Sequence, residues 1–264
     1  MTEVRFTHIG GPTVLIEFAG WRLLTDPTFD PPGRTYAFGW GTSSRKLTGP
    51  AVPPDDVGPV DAILLTHDHH ADNLDDAGRA MLAGAGTVVT TRAGARRLNG
   101  AVRGLRAGHT TRLEAPGRPP IDITATPCRH GPPFSRPVAG AVVGFALTWP
   151  GQHHGPLWIT GDTVLYPAVR KTAAALRPGT VLLHLGGVRF PLTGPARYTM
   201  TAADALDLCD TIRPHTVHPV HYEGWQHFRE GPEALTAKLE AAASSERGKA
   251  FTWLPHGTGH FTVV

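Results

Sequence analysis

The run Ile63-Leu64-Leu65-Thr66-His67-Asp68-His69-His70-Ala71-Asp72-Asn73-Leu74-Asp75 places three histidines and three carboxylates directly behind an apolar, strand-like segment. That grouping is the sequence pattern of a metal site. In an extended or tightly turning backbone, side chains at i and i+2 emerge on one side, so His67 and His69 can present two imidazoles to one cation. A catalytic zinc-type site needs about three protein ligands plus water. The remaining ligands must therefore come from a distance, and in α/β folds such residues gather at the ends of sheet strands.

Three further apolar runs end as that reasoning requires. Ile121 to Thr126 alternates like a half-buried strand and leads into Pro127-Cys128-Arg129-His130. Leu157 to Thr160 ends at Gly161-Asp162, and Thr216 to Val220 is followed by His221-Tyr222. Any one histidine among the chain's 15 is more often a hydrogen-bonded structural residue than a ligand. Asp162 alone reads as a turn or cap residue. Together the four runs point to one centre, because a carboxylate at a buried strand end needs a cation or several donors to stay charged.

On these residues the chain resembles the metallo-β-lactamase superfamily of hydrolases. That family's motif is His-x-His-x-Asp-His, then a lone His, a lone Asp and a last His, each on the loop after a strand. His67 and His69 match the first pair, His130 the lone His, Asp162 the bridging Asp and His221 the last His. Thr7-His8-Ile9-Gly10, Leu24-Thr25-Asp26-Pro27, Tyr198-Thr199-Met200-Thr201 and Pro219-Val220-His221-Tyr222 are similar to the branch containing L-ascorbate-6-phosphate lactonase. The resemblance implies an α/β fold, the four-layer αββα sandwich of the family, built from two pseudo-symmetric halves. It also implies a metal-dependent hydrolase that directs a metal-bound hydroxide at an ester, lactone, amide or phosphodiester bond.

The chain departs from the family at Ala71-Asp72, where the motif has Asp-His. The resemblance leaves the first metal site with His67, His69, His130 and Asp162. A second would be held by Asp72, Asp162 and His221, an oxygen-rich set suited to manganese, magnesium or iron. The other reading is a one-metal enzyme in which Asp72 supports the site or caps the helix that follows. One or two divalent ions, zinc or manganese with iron as the further option, are both carried forward. Asp162 and Asp72 are the candidate catalytic carboxylates, Asp162 orienting the nucleophile and returning a proton to the leaving group. His70, Tyr222 and His227 are candidates for substrate contacts, with a structural role as the alternative for each.

Composition narrows the remainder. A length of 264 residues suits one domain spanning 1–264, and no apolar stretch nears the ~20 residues of a membrane helix. The N-terminal stretch has no signal-peptide pattern, so a cytoplasmic protein acting on a small molecule, with neither membrane nor nucleic acid as partner, is expected. The net charge of +3 does not make a nucleic-acid binder, because the densest basic stretch, Arg92 to Arg106, interleaves arginine with Ala, Gly and Leu. A pocket for a small anionic substrate is the simpler use of scattered arginines. Cys128 and Cys209 form no disulfide framework, and Cys128 reads as a small buried residue. The oligomeric state, a homo-oligomer included, stays open.

Strands are expected at Val14–Phe18 and Arg22–Thr25, and helices at Asn73–Ala83, Pro167–Leu176, Thr201–Ile212 and Pro232–Ala243. Thr201-Ala202-Ala203-Asp204 resembles a capping box. Residues 28–59, rich in Pro, Gly and aromatics, form one long irregular stretch that either covers the metal pocket or packs as a surface flap. Two other function classes stay open beside hydrolysis: iron-dependent oxygen or redox chemistry on the same scaffold, and a catalytically degenerate metal-binding protein.

Overall fold

Many of the strands are near-continuous buried runs, so their side chains serve a core on each face of the sheet, and this places two sheets face to face with helices outside both. The computed structural model describes residues 2–243 and 250–264. Its strands, in chain order, begin with β1 (Glu3–Gly10), β2 (Thr13–Phe18), β3 (Trp21–Thr25), β4 (Thr35–Ala37), β5 (Ser43–Arg45), β6 (Ala62–Leu64), β7 (Val88–Thr91) and β8 (Val102–Leu105). They continue as β9 (Thr110–Leu113), β10 (Ile121–Pro127), β11 (Val143–Thr148), β12 (Leu157–Ile159), β13 (Thr180–His184), β14 (Thr216–Val220) and β15 (Gly259–Val263). The helices are α1 (Pro54–Val57), α2 (Asp76–Met81), α3 (Arg136–Ala139), α4 (Pro167–Leu176), α5 (Ala202–Ile212) and α6 (Pro232–Ala243).

One sheet has the order β15-β1-β2-β3-β6-β7-β8 and the other β14-β13-β12-β11-β10-β9. Each is antiparallel in one half and parallel in the other: β3, β6, β7 and β8 run parallel, as do β12, β13 and β14. Inward residues such as Phe6, Ile16, Leu64, Ile123, Phe145 and Ile159 fill the space between the sheets. Outward residues Leu24, Ile63 and Leu65 pack with Val57 and Leu74 on one side. On the other, Trp158, Val181 and Leu183 meet Val169, Leu208 and Leu235 of α4, α5 and α6. The result is the expected αββα sandwich, since a sheet apolar on both faces must bury both.

Helix boundaries follow local chemistry. Thr201 caps α5 in a full capping box with Asp204, as the sequence indicated. Helix α2 begins three residues later than expected, because Asp75 accepts from Gly78 N and so serves as its N-cap. The 28–59 stretch contains more order than its composition suggested: β4 and β5 pair as a hairpin, and α1 follows. Among the described residues, no helix is long and apolar enough to cross a membrane.

His218 ties β14 to the C-terminal segment, with Nδ1 2.8 Å from Thr252 O and Nε2 3.0 Å from Thr262 Oγ1. Burial is the main cause that pushes its pKa from 6.5 down to about 4. Between those values the unfolded chain binds the proton and the folded protein does not, so the contribution of His218 is complete above pH 6.5 and is lost as pH falls to about 4. His218→Gln is therefore expected to flatten the fall in melting temperature between pH 7 and pH 4.5 relative to the wild type. Identical pH slopes for the two proteins would remove His218 from the acid response.

Candidate metal centre

The C-terminal ends of the parallel strands converge at one edge of the sandwich. Asp26 follows β3, His67 follows β6, Asp162 follows β12, His184 ends β13 and His221 follows β14, while His130 lies beyond the end of β10. All six are buried. The turn into Asp162 needs Gly161: its φ is +64°, and a β-carbon there would lie 2.8 Å from Val143 O. His221 itself sits at φ 56°, a left-handed conformation that a side-chain-bearing residue adopts only under constraint from its surroundings.

The hydrogen bonds around His67 and His130 fix which ring nitrogens face inward. Thr66 Oγ1 donates to Asp26 Oδ1 at 3.0 Å, so it accepts from His67 Nδ1–H, also at 3.0 Å. His130 Nδ1–H donates to Tyr198 O at 2.8 Å. Both Nε2 atoms are left as bare lone pairs. They face His70 Nδ1, at 3.3 Å from His67 and 3.2 Å from His130. One proton on His70 Nδ1 satisfies at most one of them. Nitrogens bound at about 2.0–2.1 Å to a single tetrahedral cation lie about 3.3 Å apart, so both separations from His70 have the size found in a ligand set.

His70 thus stands beside His67 and His130, while His69 also keeps a ligand atom close to those of His67 and His70. The i, i+2 argument assumed an extended backbone, whereas residues 67–73 turn, with Asn73 N and Leu74 N both bonded to His70 O. Asp68 is drawn outward into a two-bond pair with Arg97, at 2.7 and 2.6 Å. His69 follows it, bonding Ala139 O through Nε2, and its ring lies where a β-carbon of Gly140 would fall.

Asp162 is fully buried, and neither carboxylate oxygen has a hydrogen bond. Its Oδ2 lies 4.0 Å from His67 Nε2, 3.9 Å from His130 Nε2 and 3.5 Å from His221 Nε2. Burial pushes its pKa up to about 6. Asp72 Oδ2 lies 3.4 Å from His221 Nε2 and 3.0 Å from His227 Nε2. Burial opposes the charge on Asp72, yet His221 and His227 hold its pKa well below the usual carboxylate range. Burial likewise opposes a proton on His221, and the carboxylates of Asp162 and Asp72 nonetheless raise it to about 9. Ligand atoms of His67, His130 and Asp162 cluster as one potential cation site, and those of Asp72, Asp162 and His221 as another.

Of the remaining sequence candidates, His227 sits against Asp72, while Tyr222 does not reach the centre. It packs in the helix-side core against Trp253 and His8, because the left-handed turn at His221 sends the next side chain to the opposite face. Two residues were missed. Asp26 is raised to about 7 by burial, and His184 Nε2 lies 3.5 Å from Asp26 Oδ2. The rule that found the others, a polar residue at a strand end, covers both.

Phe38, Trp40, Phe190 and Tyr198 roof a narrow cavity of about 20 Å³ over His70, Asp72 and His130. A larger cleft of about 750 Å³ also reaches His130. Arg92, Arg96, Arg106, Arg129 and Arg136 line it, with Phe134 at its rim and no acidic residue among its walls.

Residues 21–222 match the family described as β-lactamase superfamily domain, and the chain belongs to that family. It is 24% identical to a UPF0173 metal-dependent hydrolase of Caldivirga maquilingensis, over 90% of this chain and 91% of that one. In structure it is similar to the isothiocyanate hydrolase from Delia radicum gut bacteria, with a TM-score of 0.79, 20% identity and coverage of 97% and 98% of the two chains. CmlA, a diiron β-hydroxylase from Streptomyces venezuelae, shares the fold at a TM-score of 0.69 and 14% identity, over all of this chain and 54% of that one.

Thr66 connects Asp26 to the ring of His67, and such supporting partners set ligand orientation. Thr66→Val keeps the shape but removes the acceptor for Nδ1–H. The affinity for a divalent ion, measured by titration of chelator-stripped protein, is expected to fall about tenfold to a hundredfold. Native affinity in this variant would show that His67 is oriented by packing alone.

Proposed function

We propose that this member of the β-lactamase superfamily is a metal-dependent hydrolase of a small substrate, with His67, His70, His130 and Asp162 holding one divalent ion. The observation that carries the reading is the meeting of two bare imidazole lone pairs, the Nδ1 of His70 and an unpartnered Asp162 carboxylate in a dry interior. Buried lone pairs and charges so arranged are costly unless a cation joins them. Asp72 and His221, with Asp162 shared, fit a second ion. The names of the curated relatives support metal-dependent hydrolysis, and the donor set of nitrogen and carboxylate oxygen suits zinc, manganese or iron.

A divalent cation held here supplies a Lewis acid and lowers the pKa of water from 15.7 toward about 7. The protein's own part is orientation and proton handling. Asp162, fully buried with no hydrogen bond to either carboxylate oxygen, orients the attacking water, accepts its proton and returns it to the leaving group. His67 and His130 remain neutral, because burial lowers both, His130 to about 4, and so remain available as ligands at neutral pH. The aromatic roof of Phe38, Phe190 and Tyr198 excludes bulk water. We assign the arginine-lined cleft to an anionic part of the substrate, in line with the expected small anionic molecule. The bond cleaved is taken to be an ester, lactone, amide or phosphodiester.

A panel of these four substrate types, assayed with manganese, zinc and iron, tests the proposal. Chelation is expected to abolish turnover and added divalent metal to restore it. Asp162→Asn preserves shape and is expected to cost at least about a hundredfold in kcat. Turnover surviving thorough metal removal, or near-native turnover in Asp162→Asn, defeats the mechanism. Bound iron with oxygen consumption and no hydrolysis moves the protein to redox chemistry.

A further inference from the structure

We propose that His227 is a metal ligand, completing a second centre with Asp72, Asp162 and His221 in place of the histidine that the residue 67–73 motif lacks. The inference rests on the hydrolase reading above and adds to it a ligand from another segment.

The register of the motif comes first. With His70 as the second histidine, His70-Ala71-Asp72 reproduces the family's His-x-Asp spacing, and Asp72 takes the place of the motif's aspartate. The position after it, the motif's last histidine, is then Asn73. Asn73 is buried and its amide is engaged by supporting residues: Nδ2 lies 3.4 Å from Thr66 Oγ1, and the amide also supports Asp26. The second centre is therefore one nitrogen ligand short within its own motif.

His227 supplies a nitrogen at that place. Its Nε2 is 3.0 Å from Asp72 Oδ2, and His221 Nε2 is 3.4 Å from the same oxygen. These pairs stabilise the charge on Asp72, yet at 3.0 and 3.4 Å none of the ring nitrogens is well aligned as a hydrogen-bond donor to the carboxylate. Donor atoms about 3.0–3.5 Å apart that are not aimed at one another are spaced as neighbours in a coordination shell of about 2.0–2.2 Å radius.

Apart from Asp72, the surroundings of the ring are apolar. Phe38, Phe190 and Phe228 lie at ring-centroid distances of 5.0, 5.3 and 4.7 Å, and Trp225 at 5.9 Å. These apolar walls fix the imidazole and leave the Asp72 carboxylate as its polar neighbour, while its main chain is held by Arg189 N donating to His227 O. A buried imidazole whose Nδ1 has no partner, and whose Nε2 meets a carboxylate without good hydrogen-bond alignment, regains only part of the hydration it had in the unfolded chain unless a ligand joins it. With His227 included, the second set becomes two carboxylate oxygens and two imidazole nitrogens. That set matches zinc as well as manganese or iron, and predicts two ions per chain.

The test is a titration of chelator-stripped wild type, His227→Ala and His227→Gln with Zn²⁺ or Co²⁺, alongside elemental analysis of the dialysed proteins. Circular dichroism melts of the stripped proteins show whether each variant folds, and the glutamine variant retains a polar side chain should the alanine one collapse. The wild type is expected to take two equivalents. Each variant is expected to take one, with the affinity of that first ion unchanged and that of the second weakened at least about a hundredfold. Two equivalents at native affinity in His227→Gln, or a single equivalent in both wild type and variant, overturns the assignment of His227 and leaves the hydrolase reading standing. A wild type that takes no metal overturns the hydrolase reading itself, and this inference with it.

Discussion

Three carboxylates, Asp26, Asp72 and Asp162, are buried at the meeting edge of the two sheets, and the centre is organised around the need to neutralise them. In a medium of low dielectric such groups cannot share a cavity as anions without cationic partners. The protein answers in two ways. Burial pushes Asp26 and Asp162 up to about 7 and about 6, while Asp72 stays charged beside two imidazoles. The histidines are in turn arranged so that their lone pairs point inward, a geometry suited to a cation and unfavourable without one. The strand-end positions of Asp26, Asp162 and His221 follow from the same requirement, because the ends of parallel strands bring residues distant in sequence to one edge.

Much of this was legible in the chain. A polar residue after an apolar run marks a strand end, and that single rule located His67, His130, Asp162 and His221. It applies equally to Asp26 and His184, which were passed over because neither lies in a conspicuous cluster. The approach of His70 to His67 and His130 was not legible. It is decided by Arg97, which draws Asp68 outward, and by Gly140, which leaves room for the His69 ring. Both are remote in sequence, and neither alters local periodicity. The place of His227 was hidden for a similar reason: a histidine in an irregular loop has no period, and only the fold sets it against Asp72. Tyr222 shows the converse error, since adjacency to a site residue says little where the backbone turns left-handed.

The irregular stretch of residues 28–59 is tied to the centre by one buried residue. Asp75 caps α2 and at the same time accepts from Phe29 N at 2.9 Å, Asp30 N at 2.7 Å and Lys46 Nζ at 2.8 Å. Lys46 is itself buried, so this ion pair is poorly screened, and removing either partner leaves an uncompensated charge. The β4–β5 hairpin is thereby anchored to the helix that follows the metal motif, and the aspartate that displaced the start of α2 is the same one that positions the hairpin.

Anchoring the hairpin has a consequence for the chemistry. Phe38, at its tip, lies 5.4 Å from the ring of His70 and 5.0 Å from that of His227, one imidazole in each half of the centre. The cavity beneath it, about 20 Å³, holds little more than a water molecule, since one such molecule needs roughly 10–15 Å³. The same side chain therefore packs against the rings of both halves and closes the space above them, so the apolar roof and the polar floor are set by one contact. Access for anything larger than water then requires either movement of Phe38 or approach from the arginine-lined cleft at His130. The second route leaves the packing of Phe38 against both imidazoles intact.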